Sequence, residues 1–253
     1  MLVHLSKENN ELNQAQEPQQ SYSSIVAIVP AAGVGSRMQA DRPKQYLTIN
    51  DVTILEHTIC KLLSHPKIET VVVAISEDDP YYSTLSIANQ PNVIRVAGGK
   101  ERADSVLSAL EYVNHHSLAS WALVHDAARP CVLLSDIDNL IDVSLNHDVG
   151  AILACPVRDT MKRSDESKNI STTVDREALW HALTPQMFPV GSLSAALDAA
   201  SKQNAIITDE ASAFERLGQA PALVRGRSDN IKITQPEDLA LAEFYLSRNK
   251  EIL

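Results

Sequence analysis

From Ser24 onward, short apolar runs alternate with stretches whose apolar residues recur at helical spacing. The first run, 25–30, is apolar at all six positions. Such a segment suits a strand covered on both faces of a parallel sheet. A helix is predicted over about 54–64, where Thr53 and Glu56 have capping-box spacing and Pro66 stands just beyond the end. Residues 71–75 read as a second buried strand, 81–89 as a short helix and 93–96 as a third strand. Gly98 and Gly99 then lead into a helix near 102–114. A fourth strand over 121–125 ends at Asp126, Ser135 is placed to cap a helix reaching about Asn146, and 151–155 makes a fifth strand. This alternation predicts an α/β fold: a parallel sheet with helices on both faces and ligands at the carboxyl ends of its strands.

The rhythm changes after Pro156. Residues 157–163 and 170–174 read as two short polar strands joined by the charged stretch 164–169. A hairpin with so few apolar residues has no core of its own, and the pattern alone reads it as a solvated surface hairpin. Helices return near 192–203 and 209–217, strands near 222–225 and 230–233. The last helix is expected behind Thr234, with Pro236 in its first turn and Glu237 completing a capping box. Residues 1–23 are rich in Gln, Asn, Glu and Ser, too polar to bury their own surface, and read as a disordered tail. The expected organisation is therefore a tail over 1–23 and one domain over 24–253, with no internal repeat.

Composition narrows this only at a few points. The chain has 253 residues, 44% of them apolar, enough for a substantial single core. No apolar run approaches the ~18 residues that span a bilayer, and the N-terminus lacks the basic-then-apolar pattern of a secretion signal. Cys60, Cys131 and Cys155 form no CxxC pair, which fits buried thiols in a reducing cytoplasm. The net charge of −10 argues against general nucleic-acid binding. Any polyanionic ligand would need locally concentrated cations, and Arg37, Arg42 and Lys44 are one such concentration. Bound Mg²⁺ would offset more of the ligand's charge.

Those cations follow the first strand. Ala31, Ala32, Gly33 and Gly35 keep bulk away from the backbone, so N–H groups can approach an anion. Arg37 can fork onto phosphate oxygens, and Lys44, just past Pro43, supplies a point charge from a loop. The loop is not a Rossmann fingerprint, because Met38 stands where the third Gly belongs, and no Gly-Lys-Ser/Thr run makes it a Walker A loop. Taken alone, it reads equally as a strand-to-helix turn with two surface cations.

PAAGVGSRM and RPKQYL together resemble the nucleotidyltransferases that activate sugar or polyol phosphates. GGKERADSV (98–106), VHDAARP (124–130), PVRDTMKR (156–163), TVDREALWHALTPQ (173–186), TDEASA (208–213) and DNIKIT (229–234) narrow the match. In this order, over roughly 24–248, the blocks resemble the family of cytidylyltransferases that act on methylerythritol phosphate in isoprenoid biosynthesis. The resemblance implies a Rossmann-like, three-layer, mostly parallel sheet. It also implies a projecting β-hairpin arm at about 156–176 that embraces a second subunit in a homodimer. The implied reaction is attack by the acceptor's phosphate on the α-phosphorus of CTP, with Mg²⁺ present and pyrophosphate released.

Site residues follow from the same resemblance. Arg37 and Lys44 match the two catalytic cations of the first loop, although relatives often carry Arg or Lys where this chain has Ser36. The loop residues Ala31, Ala32, Gly33 and Gly35, with Gly99 and Ser105, would hold the nucleotide; as a bare Ser at a helix start, Ser105 could equally be a cap. Asp126 is placed to bind metal, joined by Asp229; alternatively Asp126 caps a loop or pairs with Arg129. Arg129 would bind nucleotide or brace Asp126. Thr160, Arg176, Thr184, Thr208 and Lys232 match positions around the acceptor, with Arg176 and Lys232 gripping its phosphate. Thr160 and Arg176 lie on the arm and would serve the neighbouring subunit, so a monomer would be inactive. Two rivals remain at this stage: a ribitol 5-phosphate cytidylyltransferase, and a nucleotide-binding paralogue without turnover. A second, cyclising domain is fused at the C-terminus in some relatives; with the sequence ending at Leu253, none is expected.

Overall fold

In the computed structural model, residues 24–33 and 41–249 are described. The expected tail 1–23, Gly35 and Arg37 lie outside them. Strand β1 (Ile25–Pro30) runs through the middle of a seven-stranded sheet. On one side it pairs in parallel with β4 (Ile68–Ile75), which pairs in parallel with β5 (Val93–Ala97). On the other side it pairs in parallel with β6 (Trp121–Val124). Next come β10 (Trp180–Pro189), antiparallel to β6, and β7 (Ala151–Pro156), antiparallel to β10. Strand β11 (Ala222–Arg225) closes the edge, parallel to β7. The sheet is mostly parallel, as expected, with β10 reversed inside it.

The period-two alternation of β1 sorts its residues between two helix layers. Ala27 and Val29 pack into one cluster with Leu55, Ile59 and Leu62 of α1 (Ile54–Leu63) and with Ile137 and Leu140 of α3 (Leu134–Leu145). Val26 and Ile28 face the opposite cluster. It contains Val106 and Leu110 of α2 (Arg102–His115), Leu193 of α4 (Val190–Lys202) and Phe214 of α5 (Glu210–Glu215). A smaller cluster seats Ala242 of α6 (Glu237–Asn249) against Ile49, Ala128 and Ile233. Two two-residue strands, β2 (Thr48–Ile49) and β3 (Val52–Thr53), pair before α1. Among the described residues, no helix is long and apolar enough to cross a membrane.

The predicted capping box of α1 is present: Glu56 N–H donates to Thr53 Oγ1 and Thr53 N–H to Glu56 Oε2. Other expectations need correction. Residues 81–89 form two short 3₁₀ turns, Tyr82–Thr84 and Ser86–Asn89, interrupted by an extended Leu85. Ser135 lies inside α3, whose N-cap is Leu133 with no side-chain bond. The cap before α6 uses Asp238, not Glu237: its Oδ2 accepts from the N–H groups of Thr234 and Gln235 and from the Thr234 hydroxyl. Residues 230–233 are not a strand, since they run irregularly beside the sheet with Ile233 N–H donating to Ala128 O. Strand β10 is absent from the pattern because it lacks period-two alternation and contains Pro185 and Pro189, which argue against a central strand. Its pairing with β7 loses register between Ala182 and Gln186, where Pro185 falls, and Pro189 is its last residue.

The polar hairpin forms, with a first strand later and shorter than predicted: β8 (Met161–Ser164) and β9 (Ile170–Val174) pair antiparallel in a sheet of their own. Every residue of β8 is exposed, and Ile170 is 68% exposed.

Gly150, just before β7, is a tight backbone passage beside the sheet. Its φ is +118°, and a Cβ there would lie 2.4 Å from the Met187 carbonyl oxygen and 2.7 Å from Phe188 Cδ1. Gly150→Ala is therefore expected to cost about 2 kcal/mol or more through strain and backbone displacement. By calorimetry its melting temperature should fall by roughly 4–8 °C; an unchanged melting temperature would contradict the close approach.

Candidate active site

The carboxyl ends of β1, β5 and β6 open into a cavity of about 240 Å³, lined by Ala31, Gly33, Lys44, Gly99, Asp126 and Lys232 among others. The start of the first loop is tied down by its carbonyls. Gln45 Nε2 donates to Ala31 O at 2.7 Å and Gly33 O at 3.1 Å, and Ser76 Oγ donates to Ala32 O at 3.0 Å. The end of β5 lies directly against this loop. A Cβ on Gly98 would stand 2.4 Å from Ala32 Cβ, so the contact requires glycine. Ser105 is not a cap, because Glu101 and Asp104 make the capping box of α2. It is buried, and its Oγ accepts the Gly99 N–H at 3.0 Å, shaping the loop from below. Lys44 begins a 3₁₀ turn behind Pro43, and its Nζ donates to Ile233 O at 3.0 Å. That contact draws the 229–234 segment to the cavity.

Asp126 is the centre of charge. It is 6% exposed, and its oxygens divide their partners. Oδ1 accepts from Arg102 Nε at 2.9 Å; Oδ2 meets Lys232 Nζ at 2.8 Å and Arg129 Nε at 3.4 Å. Burial alone would raise this carboxyl. The charges of Arg102, Lys232 and Arg129 outweigh burial and hold it well below the usual carboxylate range. Arg102 is held from its other side by Glu210, a 1% exposed carboxylate, through Nη1–Oε1 at 2.5 Å and Nη2–Oε2 at 3.1 Å. Burial works against the Arg102 charge, and Glu210 and Asp126 more than restore it.

A hydrogen-bonded chain fixes the Asp126 backbone. Burial pushes His125 down to about 4, so its ring is neutral. Arg129 O can only accept, at 2.9 Å, and therefore takes the Nε2 proton. Nδ1 then accepts from the Thr184 hydroxyl at 3.0 Å, and that oxygen accepts the Asp126 N–H at 3.0 Å. Asn230 Nδ2 donates to Thr184 O, and Arg129 Nη1 to Asn230 O. Thr184 thus anchors β6 to β10 at the site. It also lines a second cavity of about 190 Å³, with Arg129, Thr208 and Asp209. Arg102, Asp126 and Lys232 line both cavities. The ion cluster is their shared wall.

Two residues with large structural roles, Arg102 and Glu210, were not singled out from the sequence. The available signal was an Arg opening a helix directly behind a Gly-Gly loop, and a Glu at a helix start within TDEASA. Arg129 braces Asp126, as one of the sequence alternatives held. Thr160 and Arg176 line neither cavity of this chain. Both are exposed on or beside the hairpin, with Arg176 Nη1 donating to Arg158 O. Asp229 does not join Asp126. It pairs with Arg227 and lines neither cavity. Among the described residues, no three His, Cys, Asp or Glu side chains converge as metal ligands.

The comparisons with known proteins agree in one direction. Residues 25–248 match the family model for 2-C-methyl-D-erythritol 4-phosphate cytidylyltransferase, IspD. The chain is similar to the Vibrio cholerae protein of that name, 69% identical over 229 residues, covering 90% of this chain and 99% of that protein. The Vibrio parahaemolyticus protein is 68% identical over 231 residues, covering 91% and 99%. Among solved structures, the Francisella tularensis enzyme superposes with a TM-score of 0.76 at 35% identity, covering 88% of this chain and 100% of that one.

Near Asp229, burial pushes the Asp136 carboxyl up to about 6, with Arg227 opposing the rise and Asp229 adding to it. Its Oδ2 has no partner. The folded state therefore holds a proton at Asp136 from about pH 6 down to the unfolded value near ~3.9. Over that window stability increases as pH falls and is lost as pH rises. Asp136→Asn should remove this dependence and melt higher than the parent at about pH 8, where the buried charge is a burden. Melting curves at about pH 5 and pH 8 check it; equal pH dependence in the two proteins would contradict the assignment.

Proposed function

The chain belongs to the 2-C-methyl-D-erythritol 4-phosphate cytidylyltransferase family, and from that premise we propose that its two cavities hold the two substrates, one on each side of the Asp126 cluster. The activity is transfer of CMP from CTP to 2-C-methyl-D-erythritol 4-phosphate, a step of non-mevalonate isoprenoid biosynthesis. An oxygen of the acceptor phosphate bonds to the α-phosphorus of CTP as the α–β bridging bond breaks. The products are 4-diphosphocytidyl-2-C-methyl-D-erythritol and pyrophosphate. The nucleophile is already an anion, so positioning and charge stabilisation matter more than a base.

The first cavity takes CTP in this reading. Gly99 and Ala31–Gly33 offer backbone groups to cytosine, with Ser105 holding the Gly99 loop. Lys44 and Arg37 take the triphosphate. The second cavity takes the acceptor, its phosphate held by Lys232 beside Thr208. The observation that carries the reading is the shared wall: Lys232 faces both cavities and is tied to Asp126 at 2.8 Å. A cation there attracts an incoming phosphate, with Arg102 facing both cavities and Arg129 facing the second.

Arg176 and Thr160 would complete the acceptor site in a second copy, making the enzyme a homodimer through its arms. Supporting this, the hairpin has no core of its own, exposes Ile170 and keeps both residues out of its own chain's cavities. Mg²⁺ would arrive as the metal complex of CTP, neutralising part of the triphosphate charge. Asp126 is the carboxylate of the shared wall, and a direct metal contact would compete with Arg102 and Lys232 for it. All three cysteines are free thiols, which suits a cytoplasmic enzyme.

Pyrophosphate release from CTP and Mg²⁺ tests the reading, with methylerythritol phosphate, ribitol 5-phosphate or no acceptor. Release should depend on methylerythritol phosphate, and Lys44→Ala should lower turnover by about 10²–10³. Release with ribitol phosphate alone would overturn the acceptor, and CTP binding without release would point to a non-catalytic paralogue.

A further inference from the structure

The division of Asp126 between its partners points to a positioning role for Glu210, which touches neither cavity. We propose that Glu210 occupies the fork of Arg102 and thereby reserves Asp126 Oδ2 for Lys232, the residue that grips the acceptor phosphate. The role of Lys232 rests on the functional reading above; the geometry does not.

A guanidinium prefers to meet a carboxylate with two parallel N–H groups. Arg102 does so with Glu210, through Nη1 and Nη2, leaving Nε as a single prong on Asp126 Oδ1. Asp126 Oδ2 is therefore open to Lys232 at 2.8 Å, with the longer Arg129 contact at 3.4 Å beside it. Without the Glu210 charge, Asp126 is the carboxylate that Arg102 still contacts among the described residues. Taking both Asp126 oxygens would set Arg102 in direct competition with Lys232. Lys232 is the least buried of the three cations, its side chain 37% exposed against 26% for Arg102 and 10% for Arg129. It is the partner most easily displaced into solvent.

Glu210 is itself built for fixity. It opens α5, and that helix is fastened to β10 by Gln186, whose Oε1 accepts the Ala211 N–H and whose Nε2 donates to Asp209 Oδ2. Thr208 of the second cavity lies two residues earlier in the same segment. Glu210 thus ties α5 and the acceptor-side loop to the first residue of α2, which borders the nucleotide cavity.

Glu210→Gln keeps the shape and removes the charge. Its KM for methylerythritol phosphate should rise about tenfold while its KM for CTP changes by less than about threefold, a split that a general loss of packing would not produce. Adding Arg102→Lys, which has no fork, should bring the acceptor KM of Glu210→Gln at least partway back. Equal effects on the two KM values, or a double variant worse than the single, would overturn the relay. A crystal structure of Glu210→Gln reads it without any acceptor: Arg102 should bridge both Asp126 oxygens with Lys232 swung away, and an intact Lys232–Asp126 contact would contradict it. If Glu210→Gln does not fold, Glu210→Asp retains the charge and should keep both the Arg102 fork and the Lys232 contact; a Lys232 that leaves while the fork stays would overturn the proposal. The parent enzyme is assayed first. A parent without acceptor-dependent turnover contradicts the substrate reading alone, and the crystal structure then decides the relay.

Discussion

The Asp126 carboxylate is the constraint on which the site depends. A buried carboxylate with no partner would be unfavourable enough to take up a proton, and here three cations keep it ionised. They come from three separate parts of the chain: Arg102 from the start of α2, Arg129 from the turn after β6, and Lys232 from the irregular segment before α6. None of these segments pairs regularly with another there. One small anion meets all three, with Glu210 holding Arg102 from behind and Arg129 Nη1 and Ile233 N–H tying the last two segments together. Whatever the ion pairs contribute net, removing the anion alone leaves buried cations uncompensated, which is the costly case.

This arrangement also answers how a chain of net charge −10 holds polyanions. Lys44, Lys100, Arg102, Arg129 and Lys232 stand against Glu101, Asp126 and Asp209 of the cavity walls and Glu210 behind them. The local excess is positive, in a cleft walled by the sheet where charges are weakly screened. Because the cations are already aimed, little reorganisation is needed when charge builds on the transferring phosphoryl group. The neutral His125 serves the same end. It fixes the backbone of Asp126 and Arg129 through Thr184 and carries no competing charge.

The parts of the fold legible in the sequence are those decided locally. The unbroken apolar run of β1, the Thr53–Glu56 box of α1 and strand β11 follow from neighbours in the chain. Strand β10 was not legible because its prolines are tolerated by an irregular pairing with β7 that only the assembled sheet reveals. Asp238 displaced Glu237 as the α6 cap because a carboxylate one position later reaches two N–H groups and a hydroxyl together. At the site, Lys44, Ser105, Asp126, Thr184 and Lys232 could be marked from the family resemblance. Arg102 and Glu210 could not be read from spacing, because their meaning is an ion pair 108 residues apart in sequence. The Arg227–Asp229 ion pair was not legible either, because no sequence pattern distinguishes such a pair from a metal ligand.

The measurement that bears most directly on this account is the folding stability of Asp126→Asn, by denaturant unfolding at neutral pH. Asparagine keeps the size of the side chain and removes the charge, so the cations lose their common anchor. The account predicts a loss of about 3 kcal/mol or more, together with loss of pyrophosphate release. Stability within about 0.5 kcal/mol of the parent, with turnover retained, would show that the cations are held by something other than this carboxylate.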